Sequence, residues 1–374
     1  MQSNKAILNF NIWFTIQLYF SSSCIMFYPY GGYVALISTV VFLFYSKPEP
    51  LRIILVIFFL VLFSLFYYIP RTYGPPNTTL LISILNYLLI ILLFDREKIK
   101  NAFIFFSKTL IIICGLGLFI KFLLTIGIQI PSYKIEEGPQ IFNMYFPFYI
   151  DRINITKDIV DSLIGSARFH GPFFEPGALG IAMGFSLWTF KNKYLLIIAI
   201  FFGFLSLSAA FIFLLFLFII EKAIYDKRFI PLILMLLFGV ILYIYNADTD
   251  SFIYSSTVGR FTQTGDKVLD TRTSIYETGQ IKLFERFIEE RNIDFYSGIG
   301  WNTPGSGGSY RVWLLGLGLI GFIIWFISFC IILRKSKIFK KPLLIVILRL
   351  LVLSLFFYTH GNWTILLILL PLIL

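Results

Sequence analysis

The chain has 374 residues, of which 58% are hydrophobic and only 14% charged, and its mean hydropathy is +0.85. No soluble globular domain is built from that composition; apolar runs of roughly 17–25 residues recur from end to end and predict a polytopic α-helical membrane protein. The net charge of +11 would suit nucleic acid, but the short loops 47–52, 95–100, 191–193, 221–228 and 334–341 hold 15 Lys and Arg against 5 Asp and Glu, the concentration expected of cytoplasmic loops.

The predicted fold class is therefore an all-α polytopic membrane protein, a single integral membrane domain over 1–374 with about twelve membrane segments. The runs lack the ten-residue alternation of a membrane β-barrel. Span 1 covers about 7–27 and is expected to be retained, because no basic stretch beyond Lys5 precedes it. Span 2 covers about 32–46 and stops at Lys47-Pro48-Glu49-Pro50-Leu51-Arg52. Span 3 runs to about Ile69 and leads into the external turn Pro70-Arg71-Thr72-Tyr73-Gly74-Pro75-Pro76. Span 4 ends at Asp95-Arg96-Glu97-Lys98, and span 5, about 102–128, returns outward.

Residues 129–172 form the first long external segment, in which Ile141–Phe148 is too short to span and reads as interfacial. Span 6, about 174–190, comes next. Residues 194–220 allow two readings. One helix of 27 residues would be roughly 40 Å long and would reverse the charge bias of the whole C-terminal half. A hairpin of two short helices, breaking near Ser206-Leu207-Ser208-Ala209, restores the bias and is preferred for that reason.

Span 8, about 229–245, opens the second long external segment, 246–309. There, about 274–291 is predicted to be an amphipathic helix, with Ile281, Phe284, Phe287 and Ile288 on one face and Lys282, Glu285, Arg286, Glu289 and Glu290 on the others. The glycine-rich stretch Gly298–Gly308 leads to span 9, about 310–333, and two further spans flank Thr359-His360-Gly361-Asn362. Both chain ends are expected on the cytoplasmic side.

The polar residues that stand out are few. Arg168, His170 and Glu175 lie within eight residues at the entry to span 6, where each is costly near hydrocarbon unless paired or facing a polar cavity. Each alone has an ordinary explanation: an interfacial anchor, a loop histidine and a residue favoured by a helix N-terminus. Arg272, just ahead of the amphipathic helix, is either a solvated loop arginine or a cation for phosphate, to which a planar guanidinium is suited. Arg71, Arg260 and Arg311 could serve similarly. The only histidines, His170 and His360, both fall on the external side and could accept a proton near neutral pH. The three cysteines, Cys24, Cys114 and Cys330, lie in hydrophobic runs and suggest neither disulfides nor a metal site. The glycine-rich loop lacks the Lys-Ser/Thr ending of an ATP phosphate loop.

With these residues in place the chain resembles the bacterial O-antigen polymerases (oligosaccharide repeat-unit polymerases) and, more distantly, the O-antigen ligases. Three features carry the resemblance: an Arg-x-x-Gly-x-x-x-Glu-Pro entry into a span, here Arg168, Gly171, Glu175 and Pro176; an arginine ahead of an amphipathic helix, here Arg272; and a Gly-x-Gly loop leading to a glycine-rich span, here Gly298, Gly300, Gly316, Gly318 and Gly321. The resemblance implies a glycosyltransferase at the external face of the bacterial cytoplasmic membrane that joins repeat units carried on undecaprenyl diphosphate. It implies no cofactor and no metal, and as partners the lipid-linked glycan, membrane lipid, and a chain-length regulator and flippase of the same pathway. Arg168 and Arg272, with Arg71 as a further candidate, would hold the diphosphate; His360, His170 and Glu175 are the candidate bases. Where many relatives place a histidine or asparagine after the Gly-x-Gly loop, this chain has Ser309-Tyr310-Arg311, which directs attention to His360. A ligase moving polymer to lipid A–core and a polysaccharide transporter are the alternatives. Transport would call for charges buried within spans and paired broken helices, whereas only Lys121 and Arg349 fall well inside hydrophobic runs.

Overall fold

The computed structural model describes residues 4–21, 31–46, 96–137, 140–145, 148–153, 169–173, 176–206, 208–226 and 285–299, with isolated positions at 54, 57, 61, 90, 231, 238, 314–315 and 318–323. These residues are mostly helical. The chain divides into two compact units, Met1–Tyr28 with Asn101–Gln263 and Pro29–Lys100 with Thr264–Leu374. The bodies of expected spans 3, 4 and 8, the last two spans and the first half of the amphipathic helix lie outside the described residues.

The first unit contains helix α1 (Asn4–Ser21), while α2 (Gly31–Ser46) belongs to the second. Helix α3 (Arg96–Thr125) begins six residues before the expected span 5, taking the charged residues 96–100 into its first turns. Among the described residues it supplies the one helix long and apolar enough to cross a membrane, Glu97–Thr125. Its two faces differ. Phe103, Phe106, Ser107, Leu110 and Cys114 recur at helical spacing and are buried, while Ile112, Leu116, Phe119 and Phe122 are exposed. The Phe106 ring lies 5.2 Å from that of Tyr19 on α1.

Beyond α3 the all-α expectation is corrected. Strands β1 (Tyr133–Glu137), β2 (Gln140–Tyr145) and β3 (Tyr149–Ile153) form an antiparallel sheet in the order β1-β2-β3. The register pairs Glu137 with Gln140 and Tyr145 with Tyr149, so only two and three residues join successive strands. Such short connections favour hairpins, and the segment is rich in aromatic and β-branched residues that suit a pleated surface. The run expected to lie at the interface therefore supplies β2.

Three short helices complete the described part of this unit: α4 (Pro176–Ser186), α5 (Lys193–Leu205) and α6 (Ala209–Tyr225). The helix expected to span 174–190 is thus only 11 residues long, roughly 17 Å at 1.5 Å per residue. The ambiguous 194–220 stretch is two helices broken at 206–208. Their direction is set by their contacts with α4. A Cβ on Gly180 would meet the Ser208 side chain, one on Gly184 would meet Leu214, and Trp188 Nε1 donates to Glu221 Oε2 at 2.9 Å. Position numbers rise together, so α4 and α6 run parallel. Helix α5 runs the other way, arriving beside α4 with Ser206 near Gly180, and the Phe204 and Phe211 rings meet across the break at 5.4 Å. The chain therefore reverses at 206–208, and Lys193 and Lys222 lie towards the same end of the unit.

Helix α4 is the centre of this group. Ala178, Leu179, Ile181, Ala182, Met183 and Phe185 are all buried, so it is covered all round, and its hydroxyl at Ser186 bonds Ser107 of α3 at 2.9 Å. Gly180 and Gly184 form a G-x-x-x-G pair whose missing side chains let α6 approach closely.

In the second unit, 285–290 is helical and carries the expected faces: Phe287 is buried and Ile288 packs beside it, while Glu285, Arg286, Glu289 and Glu290 are exposed or partly so. Arg291 comes next at φ 42, and a short helix, α7 (Ile293–Ser297), is capped by Asn292. Phe287, Ile299 and Leu315 form a small core with Ile288, Phe295 and Leu314 against it. Ile299 donates its N–H to the Leu315 carbonyl at 2.7 Å, and a Cβ on Gly318 would collide with the Gly298 backbone.

Candidate functional site

The entry motif lies where the sheet, α3 and the helix group converge. Within it, Phe169-His170-Gly171-Pro172-Phe173 folds into a tight turn closed by the Phe173 N–H donating to the His170 carbonyl at 3.2 Å. Gly171 sits at φ +58, the left-handed region that side chains disfavour. A Cβ there would also stand 3.2 Å from Cys114 Sγ and 3.5 Å from Leu179. The turn is tied to its surroundings through the backbone: the Phe169 N–H donates to Leu205 at the end of α5 (3.0 Å), and the Ile150 N–H on β3 donates to Gly171 (3.1 Å).

Side chains fix it further. Tyr145, Tyr149, Phe169 and Phe202 form a continuous stack, with successive ring centroids 5.9, 5.7 and 6.0 Å apart. All four are buried, so the column braces the sheet against α5 and offers no open face on which a sugar could stack. A Cβ on Gly117 of α3 would strike the Phe148 carbonyl at 2.6 Å, so the β2–β3 connection rests directly on α3 as well.

His170 is only 4% exposed. Its imidazole is part of the packed turn, and it is not presented to an open cleft. Arg168 immediately precedes Phe169, and Glu175 immediately precedes α4, whose first residue is Pro176. Arg168, Glu175, Arg71, Arg272 and His360 themselves lie outside the described residues, as do Arg260 and Arg311. Of the third motif, Gly298 and Gly318 are in direct backbone contact, which accounts for glycine at both positions.

Sequence reasoning placed the helix break but did not single out its serines as chemical groups. Ser206 is fully buried and donates to Gly203 O at 2.6 Å; Ser208, 3% exposed, precedes α6 without a side-chain cap bond. The signal was available in Ser206-Leu207-Ser208, two cap-forming residues interrupting an apolar run. Among the described residues no group of three or more His, Cys, Asp or Glu is placed to hold a metal ion. No family model matches the chain, and neither does any curated protein or solved structure.

Proposed function

We propose that this chain is a lipid-linked glycan polymerase of the bacterial cytoplasmic membrane, with about twelve membrane segments and its reaction at the external face. The observation that carries the proposal is the buried turn at 169–173, anchored by β3, α5 and the contact with Cys114 of α3. Arg168 directly precedes this constrained turn in sequence, and a rigid support next to the cation is what preorganised charge stabilisation calls for. The reversal at 206–208 supports the orientation, because it returns Lys222 to the end that holds Lys191 and Lys193, as the positive-inside rule demands.

In the reaction a hydroxyl of the acceptor sugar attacks the anomeric carbon of the donor glycan, and the bond from that carbon to the diphosphate oxygen breaks. Undecaprenyl diphosphate leaves with the bonding electron pair, and its charge is met by Arg168 and Arg272. The hydroxyl proton passes to a base. A hydroxyl on a bulky oligosaccharide cannot reach an imidazole as buried as His170, so His170 is assigned to holding the turn and His360 to proton transfer. Glu175, next to Pro176 at the start of α4, suits a favourable charge at a helix N-terminus.

Replacing Arg168 and Arg272 separately by alanine tests this reading. Surface polysaccharide on a gel should lose its ladder while single repeat units remain attached. An unchanged ladder from well-expressed variants refutes the site, and loss of all attached sugar favours a ligase or flippase.

A further inference from the structure

Contacts along α3 fix the height of the entry turn. Ser107 meets Ser186 at the far end of α4, and Cys114, about two turns further on, lies beside Gly171. Helix α3 does not stop there. It continues from Gly115 to Thr125, about 16 Å beyond the turn at 1.5 Å per residue. Leu116, Phe119 and Phe122 on this extension are exposed, and Lys121 is its one charged residue. Lys108, which is exposed, and Lys121 bracket an uncharged run with a helical length of about 20 Å. With both ammonium groups reaching outward along their stems, that spacing matches a hydrocarbon core of about 30 Å, and Cys114 stands near its middle. The opposite end of the helix group looks like an interface. Tyr194 and Tyr225 are exposed there beside Lys191, Lys193 and Lys222, the mixture of aromatic rings and lysines that marks a membrane boundary.

The sheet begins close to the turn. Ile150 donates its N–H to Gly171, and Tyr133 shares a row with Met144 and Ile150, so two strand spacings, about 10 Å, separate Tyr133 from Ile150. The chain thus climbs past the turn to Thr125 and returns towards it at β1. Tyr133 and Lys134 are both exposed there. A lysine and a strand edge are not tolerated against lipid; at that depth they have to line water. We propose that the α3 face Leu116–Phe119–Phe122 contacts the acyl chains of the external leaflet, that the entry turn is therefore sunk about 10 Å or more below the external membrane surface, and that β1 lines a water-filled vestibule leading down to it. This rests on the membrane reading above and adds a route to the site. A lipid-linked donor reaches the turn sideways with its tail still in the leaflet, and the sugar chains stay in the water of the vestibule.

The test uses the full-length chain in vesicles of phosphatidylcholine and phosphatidylglycerol. Cys24 and Cys330 are replaced by alanine, while Cys114, fully buried, is retained so that its packing against Gly171 is untouched. Single cysteines at Phe119, Phe122, Phe201 and Tyr133, all exposed positions, carry a nitroxide label. Electron paramagnetic resonance then reads collisions with oxygen, which concentrates in lipid, and with a water-soluble nickel chelate. Labels at Phe119, Phe122 and Phe201 should be rich in oxygen collisions and shielded from nickel, and the label at Tyr133 should meet nickel several-fold more often than they do. If Phe119 and Phe122 meet nickel as often as Tyr133 while Phe201 is shielded, the end of α3 stands in water; the inference is overturned and the membrane reading stands. Nickel-shielding at Tyr133 equal to that at Phe119 overturns the vestibule. Free access of nickel to all four positions, Phe201 included, removes the membrane reading and the inference with it. The polymerase fails separately: an intact polysaccharide ladder in Arg168→Ala, with the four labels as expected, removes the polymerase and keeps the sunken turn.

Discussion

Gly171 carries two constraints that can be separated. Its φ of +58 would cost an L-residue about 1–2 kcal/mol, and its neighbours leave a Cβ only 3.2 Å from Cys114 Sγ. Gly171→Ala should therefore lower the unfolding temperature of the purified protein, and Cys114→Ala in the same chain should restore only part of the loss. The second change removes the crowding and leaves the backbone strain. Full recovery in the double variant would show that φ is not the constraint. At this scale the motif was legible from sequence in outline: an arginine, a glycine and a Glu-Pro pair marked the place. What could not be read was that His170 is inside the turn, because burial is decided by β3, α3 and α5, which are remote in sequence.

Packing between α4 and α6 depends on two absent side chains. Gly184 faces Leu214 so closely that a Cβ would overlap it, and larger residues there overpack the contact at a cost of about 1–3 kcal/mol. Gly184→Leu should destabilise the protein in thermal unfolding, and Leu214→Ala should recover part of that loss because the two positions share one contact. Independent, additive losses would mean the helices do not meet there. The hairpin break was legible because loop charge outweighed the long apolar run from Leu195 to Ile220, which only Ser206 and Ser208 interrupt with polar side chains. The sheet was not. Its strands are five or six residues long, and such short aromatic runs look alike whether they lie at a membrane interface or pair with one another.

For the molecule, the reversal at 206–208 makes a topological prediction. In a chain freed of its own cysteines, single cysteines at Lys193 and Lys222 should be protected together from an impermeant thiol reagent added to intact cells. A cysteine at Tyr133, 66% exposed on the sheet, should react. If 193 and 222 differ in accessibility, the two helices do not turn back. Composition and loop charge were enough to establish a helical, apolar chain. They were not enough to give helix length, since α4 and α5 stop well short of the apolar runs that contain them. The stops are set by where α4 meets α6 and where the Phe169 amide meets Leu205.

In the membrane setting proposed above, the length of α5 also bears on how the chain is made. Thirteen residues reach only about 20 Å, less than a hydrocarbon core of about 30 Å, and its polar break would be left in lipid without the neighbours that cover it. Helix α5 is therefore a poor passenger for insertion by itself. It becomes acceptable to the bilayer once α6 has emerged from the ribosome and closed against α4. Under that proposed setting the three helices enter as one parcel, and a nascent chain halted between Leu205 and Ala209 waits at the insertion machinery.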